Sequence, residues 1–135
     1  MPELSILKIL NLDPGQGIRA EGIIPEKSEF FQDHFPDFPV LPGVLALEML
    51  KQTAEHYLRH AEHGEGKKYY LKQIRSTKFH TYLKPGDPWE SQLRLVASKE
   101  DVTEWEGKLI SRGRVAVSAR LFLAPSHQSS VQLAS

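Results

Sequence analysis

The chain has 135 residues, 40% of them apolar and 25% charged, with Lys+Arg and Asp+Glu balanced at 17 each. A chain of this size and hydrophobicity makes one domain around one core, and its neutral balance fits neither a disordered segment nor a strongly basic nucleic-acid binder. It has no cysteine, which excludes disulfides, thiolate nucleophiles and cysteine-based metal sites.

Met1-Pro2-Glu3-Leu4 carries neither the basic nor the apolar region of a signal peptide, and the most apolar stretch, Phe38 to Leu47, stops at Glu48. A cytoplasmic protein that does not span a membrane is expected. After the turn signal Asp13-Pro14-Gly15, the residues Ile18, Ala20, Gly22 and Ile24 alternate with Arg19 and Glu21, which is the period of a half-buried strand. Leu4 to Leu12 is its expected hairpin partner. A single long helix is predicted from Gly43 to about His63, where Gly64 and Gly66 stop it. Its first two turns, Val44 to Leu50, are apolar on every side except at Glu48, so burial nearly all round is expected.

Lys67 to Leu83, rich in Tyr, Ile, Thr and Phe and closed by Lys84-Pro85-Gly86-Asp87, predicts a further long strand. Three alternating runs follow, around Trp89 to Ala97, Trp105 to Leu109 and Val115 to Leu123, with turns at Ser98 to Asp101 and Arg112 to Arg114. They predict an antiparallel meander. Several strands and one buried helix give an α+β domain over residues 1–125, a curved antiparallel sheet wrapped around one long central helix, with an unstructured tail over 126–135.

The segment from Phe30 to Glu48 is the candidate for chemistry. Pro36, Pro39 and Pro42 fix φ and disfavour helix before them, so this is a stiff extended loop that runs into the helix. His34 stands at its start, flanked by Phe31 and Phe35, and is either a proton-transfer residue or a structural one. Glu48, on an otherwise apolar helix, is either a candidate acid or half of an ion pair, and Gln52 shares its face one turn later. Gly43 is either a simple turn residue or the first of the free N–H groups that carry the positive end of the helix dipole. His56, His60 and His63 have helical spacing, but cationic side chains are favoured near a helix C-terminus in any case, and no metal is predicted.

His34-Phe35-Pro36, Pro39-Val40-Leu41-Pro42-Gly43-Val44-Leu45, Glu48 fourteen residues after the histidine, and Gln52 together resemble the β-hydroxyacyl-acyl-carrier-protein dehydratases of type II fatty-acid synthesis. The resemblance runs through Tyr69-Tyr70, Lys78-Phe79 and Pro85-Gly86-Asp87, over roughly residues 5–124. It implies a hot-dog fold, an obligate homodimer or an assembly of such dimers, and no cofactor. The implied reaction is dehydration of a carrier-bound 3-hydroxyacyl thioester to the trans-2-enoyl thioester. His34 would take the α-proton, Glu48 would protonate the departing hydroxyl, and Gly43, Val44, Gln52 and Phe35 would bind the substrate, the Gly43 N–H at the thioester carbonyl. Asp33 and Lys51 depart from the family's usual Gly and small residue.

From Lys67 to Lys84 there are six basic residues and no acidic one, and Lys68, Lys72 and Arg75 are the expected docking residues for an acidic acyl carrier protein. A thioesterase on the same fold and a non-catalytic acyl-binding subunit are the competing readings.

Overall fold

The computed structural model of the chain describes residues 8–24, 43–61 and 68–126. The proline-rich loop with His34 and Phe35, the expected helix end at His63, Gly64 and Gly66, and the tail 127–135 lie outside the described residues. Strands β1 (Lys8–Asp13) and β2 (Gly17–Ile23) form the first hairpin. Its turn is closed by the Gln16 N–H donating to the Asp13 carbonyl at 2.9 Å, with Gly15 at φ +80°, where a residue without a Cβ is favoured. Helix α1 (Gly43–Ala61) follows, then β3 (Tyr69–Phe79), β4 (Pro88–Lys99), β5 (Val102–Ser111) and β6 (Arg114–Pro125).

The strands form one six-stranded antiparallel sheet in the order β1-β2-β4-β5-β6-β3. The predicted meander is β4-β5-β6. Its turns are tighter than the sequence suggests, because Ser98 and Lys99 still pair with Thr103 and Val102. Glu100-Asp101 and Arg112-Gly113 alone make the reversals, and all four residues have positive φ, the two-residue geometry that matches strand twist. The predicted strand from Lys67 to Leu83 is shorter than expected. Beyond Phe79 the N–H groups of His80 and Thr81 both donate to the Ala116 carbonyl, which leads the chain off the ladder.

Helix α1 lies across the concave face of this sheet. Leu45, Met49, Leu50, Ala54, Tyr57 and Leu58 meet Ile18, Trp89, Leu93, Trp105, Leu109, Leu121 and Leu123 in one buried core. Period-2 alternation assigns the sheet residues: Trp105, Gly107 and Leu109 face in, while Glu104, Glu106 and Lys108 face out. A Cβ at Gly107 would sit 3.0 Å from Leu93 Cδ1 and 3.4 Å from Leu50 Cδ1, so the absent side chain lets the helix settle onto β5. The ring of Tyr57 meets Trp105 edge-on at 5.0 Å, and its hydroxyl accepts the Gly15 N–H at 2.6 Å, tying the first hairpin to the helix.

The expectation of all-round burial is not met. A sheet with one concave face covers one side of a helix, and on the other side Val44 is 64% exposed while Leu47, Glu48, Lys51 and Gln52 are only partly covered. On the side that meets the sheet, Leu45, Ala46, Met49 and Leu50 are buried. The architecture is the hot-dog fold.

Candidate functional site

Of the residues that the sequence singles out for chemistry, Gly43, Val44, Glu48 and Gln52 are described, all on the first turns of α1. Gly43 opens the helix, so its N–H is among those without an intrahelical acceptor. The structure gives Gly43 a second reason to be glycine: a Cβ there would lie 2.7 Å from Phe79 Cε1 and 3.0 Å from Cζ. Close approach to Phe79, at the end of β3, is what the residue provides. Phe79 is itself 45% exposed, as are parts of Tyr70 and Ile74 on the same edge strand.

Glu48 stands five residues into the helix, about 7.5 Å further along its axis. Its side chain is 25% exposed, and Oε1 lies 3.9 Å from Lys51 Nζ. Lys51 also reaches Glu55 at 3.7 Å, and Glu55 accepts from Arg59 at 3.4 Å. These spacings of three and four residues make a charged ladder along the side of the helix that the sheet leaves open. Of the two alternatives for Glu48, the ion pair with Lys51 is present on this open side of the helix. Gln52 lies on that face and is half-buried; Val44 is at the open rim.

Beneath the ladder the helix is pinned to the sheet by two hydroxyls. Thr53 Oγ1 donates to the Met49 carbonyl at 2.9 Å and lies 2.7 Å from Ser91 Oγ, both residues being fully buried. The signal of this pair in the sequence is a Ser at an inward position of a strand and a Thr on the apolar face of a helix.

Lys68, Lys72 and Arg75 are all exposed along β3 or just before it, but they are strung out. Lys68 accepts from the Ser126 N–H at the far end of β6, whereas Arg75 pairs with Arg120 mid-strand. At about 3.3 Å per residue some 23 Å of chain separates them.

His56 and His60 stack with centroids 4.1 Å apart, and His60 Nδ1 lies 2.9 Å from the His56 carbonyl. Burial first, then the charges of His60 and Arg59, hold His56 below the ordinary histidine value. Among the described residues no three His, Asp or Glu side chains converge as a metal site, and no described helix is long and apolar enough to cross a membrane.

The family model that describes the ApeI dehydratase matches residues 12–114. The chain belongs to the ApeI-like dehydratase family. It is also 32% identical over 123 residues to the 3-hydroxyacyl-[acyl-carrier-protein] dehydratase FabZ of Oceanobacillus iheyensis, covering 91% of this chain and 88% of that one. The FabZ of Lactobacillus helveticus is 33% identical, over 96% of this chain and 88% of its own. Among solved structures, the dehydratase heterocomplex ApeI:P from Xenorhabdus doucetiae superposes with a TM-score of 0.77 at 18% identity, covering 95% of this chain and 87% of that one. A Streptococcus mutans protein bound to acetyl-CoA gives 0.69 at 9% identity, covering 93% of each chain. These two likenesses establish the fold, and the family carries the reaction class: an ApeI-like dehydratase is a hydro-lyase.

Proposed function

We propose that this chain removes water from 3-hydroxyacyl thioesters held on an acyl carrier protein, giving the trans-2-enoyl thioester, in fatty-acid or related lipid or polyketide synthesis in the cytoplasm. The observation that carries it is the placement of Glu48 one and a half turns from the free N–H end of α1 in a chain of the ApeI-like family. The named FabZ relatives act on carrier-bound substrates of this kind.

His34 takes the α-proton as the C–H electron pair moves toward the thioester carbonyl. The Gly43 N–H and the positive end of the helix dipole stabilise the charge that develops on that oxygen. The electron pair then returns to form the C2–C3 double bond and expels the 3-hydroxyl, which leaves as water with the proton from Glu48. Transfer of the proton on His34 to Glu48 resets the site. Phe35, Val44 and Gln52 shape the surroundings of the reacting atoms, and exclusion of water makes an α-proton of low acidity removable.

The functional unit is a homodimer. Among the described residues strand β3 is an edge of the sheet, and it exposes Tyr70, Ile74 and Phe79. A second copy laid along it would cover these side chains and the open rim at Val44. A related but different chain is the second reading, favoured by the heterocomplex that the Xenorhabdus neighbour forms. The carrier approaches from the basic side of β3, where Lys68, Lys72 and Arg75 are exposed.

The site draws His34 from one subunit and Glu48 from the other. Inactive His34→Ala and Glu48→Ala proteins, mixed and allowed to exchange subunits, then rebuild one intact site per mixed dimer and regain about a quarter of wild-type activity. A mixture that exchanges subunits yet stays inactive contradicts the shared site.

A further inference from the structure

The outer face of the sheet carries a feature that the reaction leaves unused. Arg75 pairs with Arg120 and Lys78 with Ser118, so Ser76 and Thr77 together oppose the single residue Ala119. This is a β-bulge, and Ser76 holds it with φ +55°, a left-handed conformation that side chains other than glycine seldom adopt. In an unbroken strand, residues three apart point to opposite faces. The extra residue turns Lys78 back to the face of Arg75.

Register then gathers charge from three strands. Lys108 lies opposite Ser118 and Glu106 opposite Arg120, so Arg75, Lys78, Lys108 and Arg120 surround one groove of about 550 Å³. The carboxylate in it, Glu106, is already engaged by Arg94 at 3.1 Å and Arg120 at 3.5 Å. Arg120 is further held by Glu104 at 2.6 Å, and Arg75 lies over the Phe122 ring at 5.6 Å. No carboxylate among the described residues pairs with Arg75, Lys78 or Lys108, which leaves the groove with unbalanced positive charge.

We propose that this bulge-built groove is the main docking surface for the acidic face of the acyl carrier protein, with Arg75 the one residue it shares with the basic edge of β3. The inference rests on the carrier-bound substrate proposed above. What supports it is charge complementarity at a groove between side chains of three strands: a folded acidic partner meets several fixed cations at once here, whereas Lys68 and Lys72 are spread along an edge. Strain at Ser76 is accounted for, because a regular strand would send Lys78 to the inner face.

The test compares two double variants of the full chain, Lys78→Glu/Lys108→Glu and Lys68→Glu/Lys72→Glu. All four side chains are exposed, so both proteins should fold. Reversal in the groove should raise KM for a 3-hydroxyacyl carrier about tenfold or more, leave turnover of the matching pantetheine thioester unchanged, and flatten the salt dependence of KM. Reversal at the edge should have the smaller effect. A larger effect of the edge pair, or equal losses on carrier and pantetheine substrates, overturns the proposal. Titration of the acidic carrier itself, followed by calorimetry, separates docking from chemistry: weaker carrier binding by the groove variant supports the groove even if no substrate is dehydrated, and unchanged binding refutes it even if the enzyme is active.

Discussion

The ring of Phe79 rests against the backbone of Gly43, so close that a single methyl group there would stand 2.7 Å from Cε1. The last residue of β3 thereby sits beside the free N–H end of the helix. Gly43→Ala should cost little stability, about 1 kcal/mol or less, because the half-exposed ring can swing aside. Turnover should fall at least tenfold, since the displaced ring no longer flanks the N–H group proposed to bind the thioester carbonyl. Phe79→Ala made in the same chain removes the clash, so the double variant should lose less than the sum of the two single variants. Strict additivity in kinetics would separate Phe79 from the site.

Glu48→Gln keeps shape and hydrogen-bonding capacity but cannot supply a carboxylic proton. Dehydration should drop by about a hundredfold or more, the usual contribution of a positioned general acid. Stability should scarcely change, because the pair with Lys51 is long at 3.9 Å, both side chains are partly solvated, and Lys51 keeps Glu55 as a partner. A fall in melting temperature of many degrees, with activity retained, would make Glu48 a structural residue.

Thr53 and Ser91 test how the helix is held on the sheet. Thr53→Val leaves the Ser91 hydroxyl in the core without the partner 2.7 Å away, which should cost about 1–3 kcal/mol. Thr53→Val combined with Ser91→Ala removes both polar groups. The double variant should be no less stable than Thr53→Val alone, as read by chemical denaturation. A double variant that loses the sum of both single effects would show that the two hydroxyls do not act as a pair.

Stability should also vary with pH in two separate windows. His56 titrates below its ordinary value when folded, so the unfolded chain binds the proton more readily and stability declines as pH falls through about 6.5 and below. His56→Gln should remove that slope. For Glu90, burial raises the carboxyl, but the hydrogen bonds from Gln92 and Arg19 and the charge of Arg19 outweigh it, so the net direction is down. Its contribution is present above the ordinary carboxylate value and is lost as pH falls below it. Arg19→Gln should shrink the acid-side loss, measured as melting temperature between pH 3 and 5, and an unchanged profile would remove the pair as its cause.

Much of this molecule is legible in its sequence because burial imposes a period. Trp105, Gly107 and Leu109 alternate with Glu104, Glu106 and Lys108 since one face of β5 meets the helix and the other meets water. Gly43, Glu48 and Gln52 can be placed on one helix from spacing alone. Other features leave no periodic trace. Nothing in the run Arg75-Ser76-Thr77-Lys78 announces a bulge, because the extra residue is specified by its partner strand β6 and not by local preference. The closeness of Phe79 to Gly43 joins residues 36 positions apart and depends on β3 crossing to the far edge of the sheet. The open side of α1 is not legible for a related reason: the apolar residues of its first turns do not tell which of them the sheet covers.

The most direct measurement of the central claim is mass spectrometry of a panel of 3-hydroxyacyl carriers, of graded chain length, incubated with the protein. Loss of one water from at least one carrier, with the absorbance of a conjugated enoyl thioester and no free thiol, is the predicted result. An unchanged mass at every chain length, or release of free thiol in place of water, would contradict it.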